Sequence, residues 1–277
     1  MEEKKRFRQS ELVLEVSMAY DGTRLDYEAW RPFVDRLCGT RDYQKEAIRR
    51  AVVFLASGRY GNLEELAKEN YEKSGKLKEK YPSLEEFLEE LQMREKLYAD
   101  IDLATGTGKS YVIYGIAQIA LGLGLVKRVL VLTPSLTIEA GLTEKFQQLS
   151  ADPGLKALIP EEAVLRNPSI VTANETVKTG DLCVENIHAV YQNTGSSIED
   201  SFAGSGADTL VLNDEAHLVN ANRYKTRRIF LTGRREIGEK TGILRSGRSF
   251  SWIANMIFGI CWDLPGRRIW KMNISPT

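Results

Sequence analysis

The chain has 277 residues with 38 basic and 38 acidic side chains, so its formal charge is zero and any charged partner has to be met by a local patch. Hydrophobic residues make up 43% and charged residues 27%, which excludes the profile of a disordered chain and predicts a folded core. The length suits one large domain or two small ones.

No run of about 18 apolar residues occurs. The start, Met1-Glu2-Glu3-Lys4-Lys5, is charged where a secretory leader is apolar, so the expectation is a cytoplasmic protein with no membrane partner. Cys38, Cys183 and Cys261 lie 145 and 78 residues apart, which suits neither a disulfide framework nor a clustered zinc site. With His188 and His217 the only histidines, structural metal is not expected, and buried cysteine is the commoner case than a catalytic thiol.

Residues 1–40 read as an N-terminal extension, with turn signals at Asp21-Gly22 and Gly39-Thr40. Helical spacing follows over 41–55, where Ala47, Ile48, Ala51, Val52 and Leu55 recur on one side. Composition then shifts to Glu, Lys and Leu across 58–97, which predicts an inserted helical hairpin. Ser83 stands three residues before Glu86, the capping-box spacing, and Leu84, Phe87, Leu88 and Leu91 follow as one apolar stripe. The insertion is either a docking or nucleic-acid clamp element or a solvated helical face, and the second is the more ordinary reading.

Beyond residue 97 short β-rich runs alternate with helical stretches, at 101–103, 129–132, 169–172, 182–185 and 209–212. This alternation predicts an α/β fold with a mainly parallel sheet over 41–222. Asp100 and Asp102 put charge into the first run, which is uncomfortable for a strand buried on both faces.

Directly after that run stands Ala104-Thr105-Gly106-Thr107-Gly108-Lys109-Ser110, followed by a helix with Val112, Ile113, Ile116, Ala117, Ala120 and Leu123 on one side. Strand, glycine loop and helix are the context of a phosphate loop. Gly106 and Gly108 allow a tight turn that aims successive N–H groups at a phosphate, and the helix N-terminus adds its dipole. Lys109 would reach the β and γ phosphates of ATP, and Ser110 would place its hydroxyl on Mg2+. The strict pattern wants a further glycine where Leu103 stands, so it is missed by one position. The alternative is a simple glycine turn leading into a helix, in which a lysine followed by serine has no packing purpose.

Thr209-Leu210-Val211-Leu212-Asn213-Asp214-Glu215-Ala216-His217 is an apolar strand ending in two adjacent carboxylates, at the end of a strand where open α/β sheets bind ligands. Asp214 could hold Mg2+ through water while Glu215 activates the attacking water. The 105 residues between Lys109 and Asp214 accommodate about three βα units, so one sheet edge can carry both motifs.

With these residues in hand, the sequence resembles the DEAD/DEAH-box superfamily 2 helicases and translocases, and among them the ATPase subunit of type III restriction enzymes. Tyr43-Gln44 matches the upstream glutamine motif, Ala104 to Ser110 motif I, Thr133-Pro134-Ser135 motif Ia and Asp214 to His217 motif II. The resemblance implies a RecA-like P-loop NTPase domain that binds ATP and Mg2+ and contacts DNA beside a modification or specificity subunit. It implies phosphate-loop contacts from Thr105, Gly106, Thr107, Gly108, Lys109 and Ser110, and metal contacts from Ser110 and Asp214. Glu215 and Lys109 are then catalytic and His217 couples the nucleotide site to later motifs. Gln44 becomes an adenine contact, with an exposed helical glutamine as the alternative.

Thr133-Pro134-Ser135 also reads by itself as the start of a helix, with Thr133 as N-cap and Pro134 at the first helical position, able to donate N–H groups to a nucleic-acid phosphate. Asn186-Ile187-His188 looks like a second such contact, or else a capped turn beside a core strand.

The family's motif III is incomplete at Leu231-Thr232-Gly233-Arg234, and the 60 residues after His217 are short of a second RecA-like domain with its arginine finger. Isolated hydrolysis is therefore expected to be slow. Residues 223–277 read as a basic and aromatic C-terminal tail. Its part 223–248 holds nine basic against two acidic side chains, a possible phosphate patch. The part after Phe250 has three readings, a terminal helix, a partner-binding segment or the remainder of an interrupted gene. The competing function is a noncatalytic ATP- or DNA-binding module that regulates a partner. A small-molecule kinase or a GTPase is a further class, and an Asn-Lys-x-Asp guanine-reading segment is lacking.

Overall fold

The structure is a computed structural model that describes residues 13–91, 94–103, 107–172, 174–186, 206–214, 256–261 and 271–272. Among these residues eight strands form one sheet: β1 (Val13–Leu14), β2 (Leu97–Asp102), β3 (Arg128–Thr133), β4 (Ser169–Thr172), β5 (Asp181–Asn186), β6 (Thr209–Asp214), β7 (Met256–Cys261) and β8 (Lys271–Met272). Their spatial order is β1-β8-β2-β7-β6-β3-β5-β4, and every pairing among the described strands is parallel. The α/β, mainly parallel expectation holds.

Each expected strand is present: β4 has the expected bounds, β3, β5 and β6 are two residues longer, and β2 starts four residues earlier and ends at Asp102. β3, β5 and β6 are almost wholly buried, which explains why they read as unbroken apolar runs. In β2, Leu97, Ala99 and Ile101 are buried, and Asp100 stands at the register position of Lys271 in β8.

The helices are α1 (Tyr27–Cys38), α2 (Asp42–Ala56), α3 (Leu63–Lys73), α4 (Gly75–Lys80), α5 (Leu84–Glu89), α6 (Lys109–Gly122), α7 (Leu136–Ala151) and α8 (Pro153–Lys156). α6 is apolar on nearly every side, because it lies under α1 and α2 and packs on β3 and β6. Gly115 allows that closeness: a Cβ there would stand 2.6 Å from Ile48 Cδ1 and 3.0 Å from Leu37 Cδ2. α7 packs on β3, β4 and β5, and its Phe146 ring meets Tyr114 of α6 at 5.6 Å.

Two expected boundaries fall inside the packed unit. The segment read as an N-terminal extension supplies β1 and α1, whose Trp30 and Phe33 are buried in the common core. The segment read as a C-terminal tail supplies β7 and β8, and β7 lies in the middle of the sheet between β2 and β6. Neither a terminal helix nor an appended tail describes Met256–Cys261. Its apolar side chains suit a strand with a neighbour on each side.

The stretch 58–97 folds as three short helices. Asn62, Ser74 and Ser83 cap them by accepting from the N–H groups of Glu65, Leu77 and Glu86. Phe87, Leu88 and Leu91 are buried while Glu85, Glu86, Glu89 and Glu90 are exposed. The N-terminal segment is tied to α3 by a reciprocal pair, Glu15 N to Asn70 Oδ1 at 2.7 Å and Asn70 Nδ2 to Glu15 O at 3.0 Å.

Candidate active site

The phosphate loop leaves the end of β2, and Gly108 delivers it into α6. Gly108 has φ 73° and ψ 48°, the left-handed conformation that favours glycine, and it occupies the N-cap position of α6. Lys109 and Ser110 are the first two helical residues and both are half-buried. Thr107 and Gly108 are held from behind by α2. Tyr43 Oη donates to the Thr107 carbonyl at 3.0 Å, and Gln44 Nε2 donates to the same carbonyl and to that of Gly108, the latter at 3.2 Å. Thr105 and Gly106 lie outside the described residues.

Gln44 is fully buried, so the exposed-glutamine alternative is corrected: helical phase turns this side chain inward against the loop. Its Oε1 is buried with no hydrogen-bond partner among the described residues. A buried acceptor left unpaired costs about 1–3 kcal/mol, so a ligand donor would be welcome there.

The acidic strand ends on the same edge. Asp102 of β2 is level with Cys261 of β7, and Asp214 of β6 is level with Ile260 of β7. The ends of β2 and β6 are therefore one residue apart in height and two strand spacings apart across the sheet, about 10 Å between strand axes. Asp214 is half-buried at the strand end, and the preceding Asn213 is buried. Glu215 and His217 lie outside the described residues.

The site's donor chemistry fits Mg2+: a serine hydroxyl and a carboxylate are hard oxygen donors, fewer than a full cage. Mg2+ keeps several waters and is held by one or two carboxylates together with substrate phosphates.

At the next strands the structure corrects one cap. Thr133 is the last residue of β3, with its hydroxyl donating to the carbonyls of Glu185 and Ser135 at 3.3 Å each. The N-cap of α7 is Ser135, whose hydroxyl accepts from Ile138 N at 3.4 Å. The sequence pattern misled because β3 runs through Thr133 and keeps that residue buried, which moves the helix start two positions on.

Asn186 ends β5, where its backbone N and Nδ2 both donate to Glu139 Oε2 of α7 at 3.0 Å. His188 and the basic stretch 223–248 lie outside the described residues. Of the three cysteines, Cys38 and Cys183 are buried. Burial pushes the Cys38 thiol up to about 12 and the Cys183 thiol up as well, so neither is a nucleophile at neutral pH.

Sequence reasoning gave no role to the Tyr43 hydroxyl, to Glu139 or to β7. Only β7 left a signal, its unbroken apolar run.

A parallel sheet with a glycine loop, lysine and serine opening a helix after one strand, and a carboxylate ending another strand two places away, defines a RecA-like P-loop NTPase. A family model described as "Type III restriction enzyme, res subunit" matches residues 37–236 of this chain. The chain belongs to that family, and the matched region is a helicase-like ATPase motor domain. No curated protein resembles the chain closely enough to match it.

Proposed function

We propose that this chain binds Mg·ATP at the shared carboxyl edge, hydrolyses it and couples the hydrolysis to movement on DNA within a restriction complex. One observation carries the reading: β2, which feeds Lys109 and Ser110, and β6, which ends in Asp214, open onto the same edge with β7 alone between them.

Lys109 brings its ammonium to the β and γ phosphates, where charge builds as the phosphoryl group transfers. Backbone N–H groups from Thr105 to Gly108 cradle the same oxygens. The Ser110 hydroxyl and the Asp214 carboxylate hold Mg2+. Bound there, Mg2+ supplies positive charge against the phosphate oxygens. Glu215 is the base, taking a proton from the attacking water onto its carboxylate. Gln44 Oε1, buried and unpaired, accepts from the adenine amino group. His217 carries the state of the site to the rest of the motor.

DNA crosses the neighbouring strand ends. Support comes from the capped start of α7 at Ser135, whose first-turn N–H groups can meet a phosphate. A modification or specificity subunit is the expected partner and the cytoplasm the expected compartment. Among the described residues no helix is long and apolar enough to cross a membrane.

The test is ATP turnover by wild type, Lys109→Ala and Glu215→Gln, with DNA titrated in. Each variant should lose about 10²-fold or more in turnover. Wild type that binds ATP without measurable turnover would make the chain a noncatalytic binding module instead, and a Glu215→Gln variant that turns over like wild type would remove Glu215 as the base.

A further inference from the structure

A loop that binds an anion has to present N–H groups to it and keep its carbonyls turned away, since a carbonyl oxygen facing a phosphate repels it. In this chain the two carbonyls that close the phosphate loop are engaged from behind by α2. The Thr107 carbonyl accepts from Tyr43 Oη at 3.0 Å and from Gln44 Nε2, and the Gly108 carbonyl accepts from Gln44 Nε2 at 3.2 Å. The loop is pressed onto this brace: a Cβ on Gly108 would stand 2.7 Å from Gln44 Nε2. A third contact joins the same two elements, because the Arg41 guanidinium, just ahead of α2, lies 5.7 Å from the centre of the Tyr111 ring in the first turn of α6.

Tyr43 differs from Gln44 in what it has left to offer. Its ring is half-buried against the core, and its hydroxyl is spent on a carbonyl of the loop. We propose that Tyr43 is a positioning residue for the phosphate loop: its hydroxyl holds the Thr107 carbonyl back so that the N–H groups of the loop stay aimed at the phosphates. The proposal rests on the nucleotide reading of this edge. Because Tyr43 acts on the loop and not on the base, its effect reaches any ligand with a polyphosphate chain.

Tyr43→Phe removes the hydroxyl and keeps the ring, so folding is preserved, and thermal melting verifies that. The binding of ATP and of inorganic tripolyphosphate, each with Mg2+, is measured by calorimetry on the full chain. The expected result is an unchanged melting temperature with affinity for both ligands reduced together, by about 3- to 10-fold for one lost hydrogen bond. The KM for ATP should rise in step. A loss confined to ATP would assign Tyr43 to the base and overturn the proposal, and unchanged affinity for both ligands would overturn it as well. A wild-type chain that binds neither ligand removes the nucleotide reading and this assignment with it, whereas a wild type that binds both beside an unaffected Tyr43→Phe removes this assignment alone.

Discussion

Glu69 illustrates how a single carboxylate can fasten two parts of the chain. Arg59, Tyr60 and Lys73 all donate to it, with Arg59 Nη2 at 3.0 Å and Tyr60 Oη at 2.8 Å, while Arg59 also reaches the Ala19 carbonyl and Tyr60 accepts from Ser17 N. Burial raises the Glu69 carboxyl, but the hydrogen bonds from Arg59, Lys73 and Tyr60 outweigh it and bring it down from 4.5 to about 2. A carboxyl depressed in the folded state contributes stability that is fully present above its unfolded value and is lost as pH falls toward the folded one. Melting temperature followed against pH should therefore fall between about 4.5 and 2 in wild type, and Glu69→Gln should start lower and flatten that limb. Identical limbs in the two proteins would show that the cluster adds nothing to acid stability.

Among the elements, α3, α4 and α5 are each too short to persist alone in water. They share an aromatic centre instead. Phe87 is fully buried, stacks on Tyr71 at 5.8 Å and meets the tilted ring of Tyr81 at 5.3 Å, and Tyr71 Oη donates to the Tyr81 carbonyl at 2.8 Å. The stretch 58–97 is thus a small core with a charged exterior, more than a solvated face. Phe87→Ala should cost about 3–5 kcal/mol, read as a drop in denaturant midpoint. Its hydrogen exchange should rise in α3 to α5 ahead of α6, because α6 has its own packing against α1 and α2. α7 shows a different economy. Its amphipathic body lies on the sheet, and Glu139 adds a tether by gathering both donors of Asn186.

At the scale of the whole molecule, β7 sets the spacing of the site. It pairs with β2 along Leu97 to Asp102 and with β6 along Leu210 to Asp214, so within the sheet the strand that feeds the phosphate loop is joined to the acidic strand through it. A chain ended before Met256 would leave two apolar strand edges unpaired in the centre of the sheet, a template for aggregation. We expect such a chain to lose ATP binding in calorimetry and to sediment as aggregates. Retention of wild-type affinity by a soluble truncated chain would show that β2 and β6 find their spacing without β7.

How much of this was legible beforehand follows from the range of the interactions. The glycine loop with Lys109 and Ser110, the strand ending in Asp214, the helices 42–56 and 109–122 and the cap at Ser83 are written in spacings of a few residues, where periodicity and backbone chemistry act locally. The sequence alone thus determined the parts and their class. Tertiary structure decided the strand order, the capture of Met256–Cys261 between β2 and β6, the inward turn of Gln44 and the use of Tyr43 as a brace. A parallel strand has no partner beside it in sequence, and a buried polar side chain is defined only by the distant backbone it meets, so these features become fixed when the core closes.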